Sequence, residues 1–243
     1  FMDALHSNIH CHQCGFSGTD QLRDASRPET CTTTARKKIH YVHAGEPIFR
    51  QGDDASGIYN LISGIVMITM VDSRGAMFAP RLVVPGEAFG YRSSLECGRH
   101  TCTALALRDC CFCQITQDDA ARLIERDEKV RQAMVNSCTR DIFNAREEMI
   151  ASASMNLSER LLKFMTVKLL PLFGKERANG SAELHLPLKR AELALALGVQ
   201  GETLSRAIKR IEKADLARFD KRCVTFPCLR DVEHHLGDRK SVV

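Results

Sequence analysis

From Lys37 onward, short apolar runs alternate with glycine-bearing turns. Pro47-Ile48-Phe49, Ile58 to Ile62, Ile65 to Val71, Leu82-Val83-Val84 and Thr101 to Ile115 are rich in β-branched residues. Gly52-Asp53-Asp54, Ser63-Gly64, Asp72-Ser73-Arg74-Gly75 and Pro85-Gly86-Glu87 punctuate them about every ten residues, the pattern of an all-β barrel or sandwich. The 36 residues before Lys37 are polar, bear cysteine and histidine, and carry little periodic apolar pattern, so they read as an arm.

Helical texture begins near Gln117. Val135, Cys138, Ile142, Ala145, Met149 and Ser152 recur at alternating spacings of three and four, flanked by Arg140, Asp141, Arg146, Glu147 and Glu148. A narrow apolar seam with charged shoulders predicts a helix that pairs with its own copy; packing against its own β domain is the alternative. A second helix is expected from Leu157, capped by Asn156, and ending at or just before Leu170 because Pro171 disfavours helical geometry in the residue before it. Lys175 to Ala182 reads as a loop and Glu183 to Leu186 as a short strand.

Then Leu188 to Leu197 and Gly201 to Glu212 form two short amphipathic patterns joined at Gly198-Val199-Gln200, the layout of a helix-turn-helix. Leu193, Ala194, Leu197, Val199, Leu204, Ile208 and Ile211 can face one core. Gln200, Glu202, Thr203, Ser205, Arg206, Lys209 and Arg210 are left outside. Hydroxyls, a carboxylate and guanidiniums on one face are the groups that meet base edges and phosphates of double-stranded DNA. Glu202 repels phosphate, so it makes sense as an acceptor for a cytosine amino group. Leu216 to Phe219, a turn at Asp220-Lys221-Arg222, and Cys223 to Phe226 read as a two-stranded wing with a basic tip.

A chain of 243 residues suits two modest domains or one large one, and 44% hydrophobic with 26% charged residues is ordinary globular composition. The formal net charge of +4 is only a weak pointer to an anionic partner. No stretch approaches the roughly 18 apolar residues of a membrane span, and Phe1-Met2-Asp3-Ala4-Leu5-His6 lacks a secretory pattern, so a cytoplasmic location is expected. Eleven cysteines in such a chain read as thiols, mostly packed as small hydrophobes, rather than disulfides. No Cys/His pair has a third orienting group in view, which argues against an enzyme.

Several segments resemble the CRP/FNR family of regulators: Gly45 to Asp53, Tyr59 to Gly64 and Pro85 to Gly90 its β-roll, Asn156 to Leu161 the start of its DNA-binding domain, and Glu202-Thr203-Leu204-Ser205-Arg206 its recognition helix, closest to the FNR branch. The resemblance implies an α+β chain in four parts: a cysteine-bearing N-terminal arm (1–36), a cyclic-nucleotide-binding-type β-roll (37–117), a long dimerisation helix region (118–154) and a C-terminal winged helix-turn-helix (155–243). It also implies a homodimer, base reading by Glu202 and Ser205 with Arg206 on base or phosphate, and RNA polymerase as a partner.

Two effectors are in view. Cys11 and Cys14 resemble the start of the FNR cluster motif, with Cys113 at the distant fourth ligand, which implies a 4Fe-4S iron–sulfur cluster. The third ligand departs from the family's spacing: the next cysteine is Cys31, and zinc, a thiol switch or plain packing stay open. The other effector is a small ligand in the β-roll. Glu87 and Arg99 imitate a cyclic-nucleotide pair at longer spacing, and no pair of residues fixes a haem. The FNR branch tends to carry an acidic residue near the position of Ala145 that holds dimerisation until the cluster binds; alanine there implies dimerisation without it.

Overall fold

Alternation of inward and outward side chains closes two sheets over one core. The computed structural model describes residues 37–96 and 98–237. Its first strands are β1 (Lys37–Val42), β2 (Pro47–Phe49), β3 (Gly57–Ser63), β4 (Val66–Val71), β5 (Met77–Val83), β6 (Ala88–Phe89), β7 (Thr103–Ala106) and β8 (Cys110–Thr116). One antiparallel sheet runs in the order β1-β8-β3-β6 and the other β2-β7-β4-β5. Tyr59 and Leu61 of β3 and Cys110 and Phe112 of β8 share a core with Val66, Ile68, Val83, Ala104 and Ala106 of the second sheet. Ile58 and Ile115, at the opposite parity, join a second cluster with Ala120 and Met134. The β3–β8 pairing demands glycine at position 57, because a Cβ there would stand 2.0 Å from the Ile115 carbonyl oxygen.

Helix α1 (Tyr91–Glu96) follows β6, and α2 (Gln117–Arg126) follows β8 with the Thr116 hydroxyl accepting from the Asp119 N–H at 3.3 Å. Asp127 is extended and ends α2, and its carboxylate accepts from the Val130 N–H at 3.4 Å to open α3 (Glu128–Ser154). Val130, Ala133 and Met134 of α3 are buried, and Ser137, Cys138 and Asp141 half-buried, at i, i+3, i+4 and i+7 spacing; residues 142–146 are all exposed. The chain divides into two compact units, up to Asn144 and from Ala145, so α3 contributes to both.

In the second unit, α4 (Leu157–Lys163) opens on a capping box: Asn156 accepts from Ser158 and Glu159, and Glu159 accepts from the Asn156 N–H. The helix does not stop before Leu170. A π-helical segment (Phe164–Leu169) leads into α5 (Leu170–Phe173), which runs through Pro171. The wider turn lets the Leu170 N–H bond the Met165 carbonyl, and Pro171 falls in the first turn of α5, where its missing N–H costs nothing. The stretch expected as a loop also begins with a strand, β9 (Gly174–Glu176), paired with β10 (Ala182–His185). Helices α6 (Arg190–Ala196) and α7 (Gly201–Lys213), strands β11 (Arg218–Asp220) and β12 (Cys223–Phe226), and α8 (Leu229–His235) complete the unit, its sheet ordered β11-β12-β10-β9.

His100 is a buried group of the sandwich whose chemistry opposes its place. It is 2% exposed and stacked 3.6 Å from Phe49, and among the described residues neither ring nitrogen has a hydrogen-bond partner. Burial lowers its pKa below the ordinary value of 6.5. The unfolded chain therefore takes up a proton before the folded one does, so the stability this site contributes is whole above pH 6.5 and declines as pH falls through that value. We expect the urea midpoint to drop from about pH 7.5 to about pH 5.5 by less in His100→Leu than in wild type. Equal drops in both would remove His100 from the acid response.

Candidate nucleic-acid interface

The turn between α6 and α7 is built by hydrogen bonds that only one backbone shape allows. Gly198 has φ +67°; its N–H bonds the Leu195 carbonyl at 3.0 Å, and the Val199 N–H bonds that of Ala194 at 3.0 Å. This is a Schellman stop, and glycine takes the left-handed position without steric cost. Arg160 of α4 donates to the Leu197 carbonyl at 2.9 Å, at the negative end of α6. Buried Ser158 donates to the Ala207 carbonyl inside α7 at 3.4 Å. Neither was singled out as functional from sequence. Their signal was faint: Ser158 shares a helical face with Leu161, Leu162 and Met165, all buried.

On α7, Leu204, Ala207, Ile208 and Ile211 are at most 3% exposed. Gln200, at the N-cap, and Glu202, Thr203, Ser205, Arg206, Lys209 and Arg210 are all exposed, so the structure brings the seven expected residues onto one outer side. Arg206 donates to Glu202 at 2.5 Å and Ser205 to the Gly201 carbonyl at 2.9 Å. Side chains of the ion pair are 70% and 77% exposed, so water screens it and a partner can open it at little cost. At the C-terminus of α7, Asp215 takes φ +54° and pairs with Arg218 at 3.1 Å.

The wing is the β11–β12 hairpin, in register Asp220↔Cys223 across the exposed Lys221 and Arg222. The Leu186 N–H holds the Arg222 carbonyl at 2.6 Å, and the Arg190 guanidinium lies 5.9 Å from the Phe219 ring centre. Glu212 accepts from the Phe219 N–H at 3.2 Å, so α7 and the wing are joined by side chain as well as by chain.

The other expected residues fall as follows. On α3, Val135, Ile142 and Met149 are 51%, 71% and 74% exposed, Ala145 and Ser152 are exposed, and Cys138 packs partly on the β-domain core. Phe143 and Ile150 extend the same apolar side. Cys113 is buried on β8, paired with Ile39 of β1 and Asn60 of β3. Cys11, Cys14 and Cys31, with the rest of the arm, lie outside the described residues, and among the described residues no three His, Cys, Asp or Glu gather as metal ligands. Glu87 and Arg99 hold different partners: Glu87 lies 3.5 Å from Arg81, and Arg99, at the surface, 3.5 Å from Asp54. No described helix is long and apolar enough to cross a membrane.

Comparison with known proteins agrees with this geometry. The cyclic nucleotide-binding domain family model matches residues 39–127, and the Crp-like helix-turn-helix domain model matches residues 159–230. An anaerobic regulatory protein of Haemophilus influenzae is 24% identical over 238 residues, 97% of this chain and 91% of its own length. The fumarate and nitrate reduction regulatory protein of Vibrio cholerae is 23% identical over 220 residues, 89% of this chain and 86% of its own. The solved structure of FixK2 from Bradyrhizobium japonicum matches with a TM-score of 0.70 at 20% identity, covering 83% of this chain and 97% of that one. A β-sandwich, a long helix and a winged helix-turn-helix in this order, matched by both domain families, make this chain a member of the CRP/FNR family of DNA-binding transcription regulators.

Proposed function

We propose that this regulator binds duplex DNA as a homodimer, reads sequence with the outer side of α7, and answers to oxygen or redox state through an iron–sulfur cluster held by Cys11, Cys14, Cys31 and Cys113. The observation that carries the DNA reading is the division of α7 into a fully buried apolar side and a fully exposed polar one. Glu202 and Ser205 would meet base edges and Arg206 a guanine or a phosphate. Lys209, Arg210 and the wing residues Lys221 and Arg222 would neutralise backbone charge. The exposed apolar side of α3, from Val135 through Ile142 and Ala145 to Met149, supports pairing with a second copy. A dimer of this kind reads half-sites about 34–36 Å apart and would present RNA polymerase with a two-fold platform.

The names of the relatives, an anaerobic regulator and a fumarate and nitrate reduction regulator, favour a signal tied to oxygen. Cys113 fits a ligand position because β1, its neighbour in the sheet, is the strand that follows the cysteine-bearing arm. Cys31 stands eight residues before Ile39, a reach of up to about 27 Å of chain. Bound there, a cluster supplies an oxygen-labile redox centre. Cys110 is a poor candidate: it sits in the inner core of the sandwich and its thiol donates to the Ile65 and Arg108 carbonyls at 3.4 and 3.1 Å.

Three measurements test the reading. In gel shifts, Ser205→Ala or Arg206→Glu should weaken sequence-selective binding about tenfold to a hundredfold, while Lys209→Gln should weaken all duplexes alike and lower the salt slope by about one. Undiminished selectivity in Arg206→Glu would end the recognition-helix assignment. Protein purified without oxygen should be brown, contain iron and sulfide, bleach in air, and lose its colour in Cys113→Ser. A colourless, iron-free preparation that binds DNA would end the cluster. With alanine at position 145, metal-free protein should sediment as a dimer at micromolar concentration; monomer alone would contradict this.

A further inference from the structure

Where the inner stripe of α3 ends, three elements of the first unit converge on one polar cluster. Arg81 of β5 donates through Nη1 to Oδ2 of Asp141 at 2.8 Å and through Nη2 to the Ala88 carbonyl at 3.0 Å. The Tyr91 hydroxyl at the start of α1 donates to the same Asp141 oxygen. Tyr91 is 1% exposed, while Arg81 and Asp141 are 25% and 24% exposed, three times more buried than the ion pairs of the recognition helix and the wing. Glu87 lies farther from Arg81, at 3.5 Å, and its Oε2 already accepts from the Val84 N–H at 3.3 Å in its own turn. Asp141 is therefore the acceptor on which both donors close.

We propose that Arg81 and Tyr91 form a carboxylate-binding site whose resident ligand is Asp141 of the same chain, and that this ligand anchors α3 to the β-sandwich. The spacing supports it. Met134 and Cys138 pack on the second core cluster, and Asp141, one turn on, shares their side of the helix. Every residue from 142 to 146 is exposed, so the grip of the sandwich on α3 ends in a charge-assisted bond rather than an apolar contact. The site is preformed on the β-domain side. The Ala88 carbonyl holds the guanidinium, and burial above all keeps the Tyr91 hydroxyl protonated, well above its ordinary range. A tethered carboxylate also acts at high effective concentration, so a free carboxylate does not displace it at ordinary concentrations.

Loss of the ligand should uncover the site. In the full-length Asp141→Ala protein, hydrogen exchange of amides 138–144 should rise at least tenfold. Sodium formate, the smallest carboxylate, should then raise the melting temperature and restore protection saturably, beyond sodium chloride at equal ionic strength. Wild type and the Arg81→Gln/Asp141→Ala double variant should show no such difference between the two salts. Asp141→Asn keeps the shape without the charge, so it should exchange faster than wild type and gain nothing from formate. Formate acting no better than chloride on Asp141→Ala, or wild-type exchange in Asp141→Asn, would overturn the proposal. Should Asp141→Ala fail to fold, the Asp141→Asn comparison decides alone. All readouts are taken without DNA, so they stand apart from the outcome of the DNA and cluster experiments.

Discussion

The interface rests on the burial of one side of α7. Leu204, Ala207, Ile208 and Ile211 leave water almost completely, and a helix fixed along that stripe has no choice about what its other side shows. At about 25 cal/mol per Å² of apolar surface, such a stripe is worth several kcal/mol, far more than the exposed Glu202–Arg206 pair returns. The order of magnitudes matters. Packing sets the orientation, and the polar side chains remain loosely held and ready to exchange one partner for another. Arg160 and Ser158 add directional bonds to the same core, at the end of α6 and in the middle of α7.

Legibility followed the range of the interactions involved. The strands could be read because period-two alternation and turn glycines are local, and the helix-turn-helix because Gly198 sits where a Schellman stop needs it. The end of the helix after α4 was misread for a reason that is also local in form but not in cause. Pro171 does disfavour a continuous α-helix, but a π-turn anchored by buried Met165 and Leu169 gives the chain a second start, and proline is welcome in a first turn. Helix α8 was not read at all. It has one buried residue, Val232, beside half-buried Leu229, and an exposed polar remainder, so periodicity had little to show.

Of the candidate site residues, those on α7 were legible because each needed only to be outside. The roles of Glu87 and Arg99 could not be settled by spacing. A carboxylate and a guanidinium are useful together only if the fold aims them at one point, and here Glu87 turns to Arg81 while Arg99 turns to Asp54. The arginine that does lie within the sandwich cluster, Arg81, comes from a strand whose sequence, Met77 to Val83, reads as an unremarkable apolar run around one charge. Nothing local marks Asp141 as its partner, 60 residues on.

That separation gives α3 a physical logic. Its first turns carry two unlike sides at once: inward, Val130, Ala133, Met134, Cys138 and Asp141; outward, Val135 and Ile142. If the inward side ended in another apolar residue, helix and sandwich could repack in a neighbouring register, because apolar burial is not directional. A carboxylate shared by a guanidinium and a phenol tolerates no such slip; it is satisfied in one register and left half-buried and unpaired in the others. Rotation of α3 is thereby fixed at its last turn on the sandwich, and with it the direction in which Val135 and Ile142 face. In the dimer proposed above, a helix that met its own copy along a narrow stripe would need that direction set before the copy arrived.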